Sequence, residues 1–135
     1  MEQASHLKTQ MDSNTITQKE SAKMLSKLGD LLQLNLQERE ENQKDAKRYM
    51  DIEIELHAQV HELSAITAYS EKIPSFVEAG LIESLLSVLQ HPNIDISQMS
   101  MTILYELMDT EDLAESVQAK ITQELAENSV WNLVL

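Results

Sequence analysis

The stretch from residue 74 to residue 110 constrains the fold more than any other part of this chain: PSFVEAGLIESLLSVLQHPNIDISQMSMTILYELMDT. Pro74 suits the first turn of a short helix, where its missing N–H has no intrahelical partner, and Gly80 suits the left-handed position that ends that helix. A second helix is predicted to follow, with few polar positions for a solvent face: Leu81, Ile82, Leu85, Leu86, Val88 and Leu89. We therefore expect a buried second helix, with Leu85, Leu86 and Leu89 among its most buried residues.

The tripeptide His91-Pro92-Asn93 ends this buried helix, and a third helix is predicted after it. Either Asp95 or Ser97 is expected to cap the third helix, whose apolar residues recur at spacings of three and four: Met99, Ile103, Leu104 and Leu107. A short helix, a buried helix, a turn with proline and a long helix form the plan of an armadillo repeat of roughly 40 residues. Because one such unit cannot cover both faces of its middle helix, the flanking segments must complete the core.

Two leading helices are predicted before this central repeat, over residues 17–43 and 46–69. Each combines apolar residues at helical spacing with charged residues on the opposite face. The polar run at 37–48 is either a solvated continuation of the first helix or a break, which we place at residues 42–45. Asp45 is expected to cap the second helix.

The remaining segments complete the predicted organisation. Residues 1–14 are polar, have no sustained period and are expected to form a disordered tail. Residues 111–135 are predicted to start the next repeat, and their last part, 130–135, either docks back on the preceding helix or drives self-association. Residues 15–135 are thus expected to form a single all-α domain, an armadillo-like α-solenoid fragment with preceding N-terminal helices.

Composition agrees with an all-α fold, since the chain has only two glycines and two prolines among its 135 residues. The absence of cysteine excludes disulfides, thiol nucleophiles and cysteine-ligated zinc. No apolar run approaches the length of a membrane span, and the first residues lack the pattern of a signal peptide. We therefore expect neither a membrane span nor a signal peptide.

The net charge of −13 is distributed unevenly. Residues 1–49 carry eight acids and eight bases, whereas residues 50–135 carry fifteen acids against only Lys72 and Lys120. Such a surface repels nucleic acids and anionic membranes and favours a basic partner. The alternative is an acidic solvated face that only keeps the protein soluble.

The candidates for chemistry are few. His57 and His61 lie one helical turn apart, and Glu53 precedes them by one turn, so the three could share a face and hold a metal. An ordinary, partly exposed helix face is the favoured interpretation, because no further ligand is clustered with them. His91 is interpreted as a turn residue near a helix end, where the helix dipole favours its protonated form.

Two further groups are interpreted structurally. The carboxylates Asp109, Glu111, Asp112 and Glu115 lack the glycine and ligand spacing of a calcium loop, so helix capping is favoured. The methionines Met99, Met101 and Met108 either fill the core, which is favoured, or form an adaptable binding surface. Nucleotide-binding and nucleophile-elbow motifs do not occur. We therefore predict a chain that is not an enzyme and has no catalytic, cofactor-binding or metal-binding residue.

Several segments together resemble the N-terminal armadillo region of the beta-catenin-like protein 1 family. The similarity covers residues 45–116 and is densest at 76–97, FVEAGLIESLLSVLQHPNIDIS. It extends to Tyr49-Met50-Asp51-Ile52-Glu53 on one side and to Tyr105-Glu106-Leu107-Met108-Asp109 on the other.

This resemblance implies a nuclear protein without enzymatic activity that takes part in pre-mRNA splicing within a spliceosomal complex. It also implies an armadillo-type scaffold that binds basic segments of partner proteins. From the acidic charge we expect no direct contact to nucleic acid or membrane. Members of that family are longer than this chain, and the resemblance assigns no partner-binding residue to it. The alternative function is a self-associating helical domain without a splicing role.

Overall fold

The computed structural model describes residues 2–128, with side chains for residues 18–66 and 68–128. Within these residues the fold is all-α, without strands, as predicted. The described part contains six α-helices and two 3-10 helices, in this order: α1 (Glu2–Glu41), α2 (Lys47–Ser64), the 3-10 helices Ala65–Ala68 and Ser70–Lys72, α3 (Ile73–Glu78), α4 (Leu81–Leu89), α5 (Ile94–Asp109) and α6 (Glu115–Glu127). None of the helices within residues 2–128 is long and apolar enough to cross a membrane.

Helices α3, α4 and α5 form the predicted armadillo-like unit of a short, a buried and a long helix. Pro74 lies in the first turn of α3, where no backbone hydrogen bond is lost. Gly80 joins α3 to α4 with a φ of 103°, in the left-handed region that an L residue adopts only at a cost. The local signals at both ends of α3 are therefore confirmed.

Helix α4 lies in the centre of the core and contacts α1, α3, α5 and α6. Leu85 is fully buried and Leu86 is nearly so, as expected from their position on the enclosed helix. Leu89 is only partly buried, so its prediction as one of the most buried residues is wrong. The reason is its position at the end of α4, beside an open groove that is described below.

The leading helices cover the other side of this unit. Helix α1 packs along α2, α3 and α4 through a leucine stripe, and it ends at Glu41, where the sequence predicted a break. Helix α2 ends at Ser64 and tightens into 3-10 turns, rather than continuing to residue 69, because the β-branched Ile66 and Thr67 lower helix propensity there. The side chain of Thr67 lies outside the described part.

Helix α1 begins at Glu2, so helical backbone extends through the stretch for which the sequence predicted a disordered tail at residues 1–14. The chain has no proline or glycine before Gly29 to interrupt a helix. The division of the chain into a tail and a single domain at residues 15–135 stays a prediction. The terminal segment 130–135 lies outside the described residues.

The helix caps differ from the prediction. Asn93 caps α5: its backbone is extended, and its Oδ1 accepts a hydrogen bond from the N–H of Asp95 at 2.9 Å. Ser97 donates instead to the carbonyl of Leu89, at 2.7 Å, because α5 has already begun at that point. Helix α2 has no side-chain cap, and Asp45 lies 3.4 Å from the Nε of Arg48.

The capping role expected for the acidic group before α6 is also wrong. The N-cap of α6 is Ala114, which makes no side-chain cap hydrogen bond. Only Glu115 lies in the first turn of that helix, where its charge is favourable to the helix dipole. The other three carboxylates are exposed around the α5–α6 connection: Asp109, Glu111 and Asp112.

Candidate protein-interaction site

Helices α2 and α5 lie side by side and form an open groove of about 410 Å³, large enough for a few side chains of a bound segment. Glu53, in the first half of α2, hydrogen-bonds Asn93 at the start of α5, and the 3-10 helix that follows α2 also contacts α5, so the two helices run in the same direction. We call this surface the α2–α5 groove. It is lined by His57, His61 and Ser64 of α2 and by Asp95, Gln98, Met99, Thr102, Ile103 and Glu106 of α5.

The groove has polar walls and an acidic character. His57, His61 and Ser64 follow one another at four and three residues, so they lie on one face of α2. Asp95 and Glu106 are exposed on α5, about 16 Å apart along the helix at 1.5 Å per residue. No lysine or arginine lines the groove among the described residues. The electrostatic potential along it is therefore favourable to cations.

A buried ion pair holds the start of α2 in place. Glu53 is only 3% exposed, and its Oε2 accepts hydrogen bonds from Nη2 of Arg39 and Nδ2 of Asn93, both at 2.9 Å. The Nε of Arg39 donates to Oε1 of the same carboxylate, which makes the pair bidentate. The guanidinium group also lies 4.6 Å from the centre of the Tyr49 ring. One carboxylate thus ties α1 and α2 to the turn before α5.

His91 extends this network between α4 and α1. Its Nδ1 accepts a hydrogen bond from the backbone N–H of Asn93 at 3.0 Å, and its Nε2 lies 2.5 Å from Oδ1 of Asn35. An accepting Nδ1 requires the proton on Nε2, which then donates to Asn35. The amide group of Asn35 in turn donates to the carbonyl of Tyr49 at 3.3 Å. The hydrogen bonds therefore select a neutral imidazole in one tautomer.

The ionisation of the network follows from these contacts. Burial lowers the pKa of His91; the Glu53 carboxylate opposes this effect and Arg39 adds to it. Burial alone would raise the pKa of Glu53, but hydrogen bonds from Arg39 and Asn93 outweigh it and hold the pKa below its usual value. The prediction that the helix dipole favours protonated His91 is wrong, because the ring is buried among neutral hydrogen-bond partners rather than exposed.

The face shared by His57 and His61 does not include Glu53. The carboxylate of Glu53 is turned into the network and away from the groove, where the two histidines lie. Among the side chains that the structure describes, no group of three or more histidine and carboxylate residues is placed to hold a metal ion. The two histidines therefore contribute to the lining of the groove.

A second surface lies on the opposite side of α5. Nine residues line an apolar groove of about 380 Å³ between α4, α5 and α6, which we call the apolar groove: Leu86, Leu89, Met101, Leu104, Tyr105, Met108, Thr122, Leu125 and Ala126. Met101 is 53% exposed, and Tyr105 and Met108 are each 68% exposed. Core filling, the favoured prediction for the methionines, is thus wrong for Met101 and Met108. Met99 does pack against the core, where it is partly buried.

The buried network was not recognised in the sequence, although a signal for it exists. Asn35 follows Leu28, Leu31 and Leu32 at the spacing of a buried helical stripe, so a polar side chain enters the core face of α1. On α2, Glu53 precedes Leu56 and Val60 at the same kind of helical spacing, so its carboxylate also enters the core face. A buried amide and a buried carboxylate each need partners, which predicts a hydrogen-bonded cluster.

The chain matches one protein family and is similar to beta-catenin-like protein 1 of several mammals. Residues 1–135 match the model of the family described as "Catenin-beta-like, Arm-motif containing nuclear". Beta-catenin-like protein 1 of Bos taurus is 28% identical over 91 residues, which cover 66% of this chain and 16% of that protein. Beta-catenin-like protein 1 of Homo sapiens is 30% identical over 70 residues, which cover 52% of this chain and 12% of that protein.

The alignments span less than a fifth of the length of these relatives. No solved structure matches the chain. The family model, however, extends over all of its residues, and the helical unit α3–α5 has the arrangement that an Arm motif requires. The chain therefore belongs to the catenin-beta-like family of Arm-motif-containing nuclear proteins.

Proposed function

We propose that this chain is a non-catalytic scaffold that binds a basic segment of a partner protein in the α2–α5 groove. The observation that carries the proposal is the lining of this groove, which presents Asp95 and Glu106 to solvent and no lysine or arginine among the described residues. A lysine or arginine side chain entering the groove meets a carboxylate near either end. The excess of acids in residues 50–135 adds long-range attraction for such a segment.

The rigidity of the groove supports the same function. Binding of an extended segment costs less free energy when the protein does not have to order its own helices. The contacts of Glu53 with Arg39 and Asn93 fix the start of α2 relative to the start of α5. The walls of the groove are thus preorganised at that end.

The test is the binding of a fluorescein-labelled, lysine- and arginine-rich peptide, measured by fluorescence anisotropy. The double variant Asp95→Asn with Glu106→Gln removes both carboxylates of the groove. An exposed ion pair contributes about 0.2–1 kcal/mol, so we expect the pair of substitutions to weaken binding by roughly 2- to 30-fold. A peptide in which the basic residues are replaced by glutamate should not bind.

The matched control is Glu111→Gln with Glu127→Gln, which removes two exposed carboxylates that do not line the groove. The net charge changes by the same amount in both double variants. A small loss in the control and a larger one in the groove variant supports a local site. Equal losses in the two variants would show that only the overall charge attracts the peptide, and would overturn the groove as the binding site.

The cellular role that we propose is in the nucleus, as a component associated with the spliceosome in pre-mRNA splicing. It is supported by the resemblance to the beta-catenin-like protein 1 family and by the description of the matching family as nuclear. Depletion of the protein in its own cells should increase intron retention, measured by RNA sequencing. Expression of the wild type should reverse this effect, and expression of the groove variant should reverse it less completely. Unchanged intron retention after depletion would contradict the role.

The alternative function is self-association through residues 130–135. The observation that bears on it is the apolar groove, because exposed apolar surfaces of this kind mark interaction sites. Size-exclusion chromatography with light scattering tests this alternative, and a mass that stays at the monomer value as the concentration is raised would contradict it. A mass that rises to twice the monomer value with concentration favours self-association.

A further inference from the structure

We infer that residues 130–135 of this chain occupy the apolar groove between α4, α5 and α6. The groove has a floor of Leu86 and Leu104 and a rim of exposed methionine and tyrosine side chains. Apolar surface of this kind gains free energy when it is covered, at about 25 cal/mol per Å². Residues 130–135 are an apolar segment of the same chain that can cover this surface.

Continuity of the chain places this segment beside the groove. The last turn of α6 contributes Leu125 and Ala126 to the lining, and α6 ends at Glu127. Asn128 and Ser129 then connect the helix to Val130. A segment joined by so short a connection has an effective local concentration in the millimolar range, which a second molecule does not reach in dilute solution.

The length and composition of the segment also fit. From Met101 to Met108 the groove follows α5 for about 10 Å, at 1.5 Å per residue. Six residues span about 9 Å as a helix and about 20 Å when extended, so residues 130–135 can reach along the groove in either form. Five of the six are apolar: Val130, Trp131, Leu133, Val134 and Leu135. Methionine side chains adapt their shape to a bulky aromatic neighbour.

The first test uses Trp131, which is the only tryptophan in the chain. In the wild type we expect a blue-shifted emission maximum and weak quenching by acrylamide, both independent of protein concentration. Met108→Ser and Tyr105→Ser should shift the emission to longer wavelength and increase quenching, because they remove apolar contacts from the rim. Both residues are mostly exposed, so these variants should keep the far-ultraviolet circular dichroism of the wild type.

Met50→Ser is the control, since Met50 is an exposed methionine on α2 that does not line the groove. It should leave the emission unchanged. Solvent-like emission in the wild type would overturn the inference, and so would a blue shift that Met108→Ser and Tyr105→Ser do not affect. A blue shift that appears only at high protein concentration would mean that a second copy supplies the segment.

A covalent test is available because the chain contains no native cysteine. The pair Met108→Cys with Val134→Cys should form an intramolecular disulfide on mild oxidation, seen as faster migration on a non-reducing gel. The pair Met50→Cys with Val134→Cys is the control and should stay reduced under the same conditions. Predominantly dimeric cross-links, or equal cross-linking of the two pairs, would contradict docking within one molecule.

Discussion

At the scale of single residues, the polar side chains in the core decide how the helices are held together. Asn35, Glu53 and His91 are buried, and each has a hydrogen-bond partner from a different part of the chain. Buried polar groups are costly when unpaired, so each residue restricts the relative position of the elements it joins. The network therefore specifies one packing of α1 against α2 and the α4–α5 turn.

The first prediction concerns the acid sensitivity of the fold. The folded pKa of His91 lies below its ordinary value of 6.5, so on acidification below that value the unfolded chain binds a proton that the folded chain resists. Its contribution to the free energy of unfolding is therefore present at neutral pH and falls as the pH drops through 6.5. Glu53, whose folded pKa lies below 4.5, loses its own contribution only at lower pH.

His91→Gln should therefore flatten the decline of stability between neutral pH and about pH 5, although it lowers stability at pH 7. The measurement is the urea midpoint of the wild type and the variant across this range. Glu53 and Arg39 are the charged groups that face the ring, and they are the same in both proteins. Parallel pH profiles for the two proteins would show that His91 does not titrate in this range.

The second prediction concerns the buried ion pair. Arg39→Met leaves the Glu53 carboxylate buried with only Asn93 as a donor, and we expect a loss of about 1–3 kcal/mol in the free energy of unfolding. Adding Glu53→Met removes the uncompensated charge, so the double variant should recover part of that loss. Chemical denaturation of both variants and of the single Glu53→Met variant completes the cycle. A double variant whose loss equals the sum of the single losses would mean that the pair is not coupled.

At the scale of helices, the two glycines have opposite roles. Gly29 lies within α1, and Gly80 has a φ of 103° between α3 and α4. A methyl group added at either position meets nothing within 4 Å, so the backbone alone decides the effect of alanine. The pair thus isolates helix propensity at one site and left-handed backbone strain at the other.

The third prediction is that the same substitution changes stability in opposite directions. Gly29→Ala should stabilise the protein by about 0.5–1 kcal/mol, because glycine is unfavourable inside a helix. Gly80→Ala should destabilise it by about 1–2 kcal/mol, because an L residue is strained at positive φ. Thermal unfolding followed by circular dichroism gives both values. A stabilising Gly80→Ala would mean that α3 and α4 can rearrange around that residue.

At the scale of the whole molecule, the dominant feature is the excess of acidic residues in the second part of the chain. The fifteen acids in residues 50–135 face only two bases there, and one of these, Lys120, pairs with Glu78 at 2.9 Å between α6 and α3. Hydrogen bonding to Glu78 raises the pKa of Lys120, desolvation opposes this effect, and the charges of Glu78 and Glu124 add to it. Like charges at this density repel each other in the folded state more than in the expanded unfolded chain.

The fourth prediction is that sodium chloride stabilises this protein. Salt at about 0.1 M reduces the range of charge interactions to about 10 Å, so the repulsion among exposed acids weakens while buried contacts change little. The urea midpoint should therefore rise between low salt and physiological salt. Binding of the basic peptide should weaken over the same range, since it depends on the same charges. A urea midpoint that falls with salt would show that ion pairs, rather than repulsion, dominate the surface.

Local chemistry in the sequence was sufficient to predict much of the fold. The apolar spacing in α4 and α5, Pro74 and Gly80 at the ends of α3, and the break after α1 are confirmed, because periodicity, proline geometry and left-handed glycine act within a few residues. The acidic character of residues 50–135 also follows from the sequence, since it is a count of charges. In these segments the capping residues were predicted wrongly, because several neighbouring polar residues can cap the same helix.

Only the tertiary structure decided which polar residues meet and which apolar residues stay exposed. His91 and Asn35 are far apart in the chain, and they meet because α1 packs over the α4–α5 turn. The imidazole of His91 is neutral because this packing removes water from around the ring. Met101 and Met108 have a core-like spacing in the sequence, yet they line an open groove because α6 covers only part of α5 within the described residues. Burial and ionisation depend on contacts between distant segments, and periodicity within one helix does not specify which neighbour covers each face.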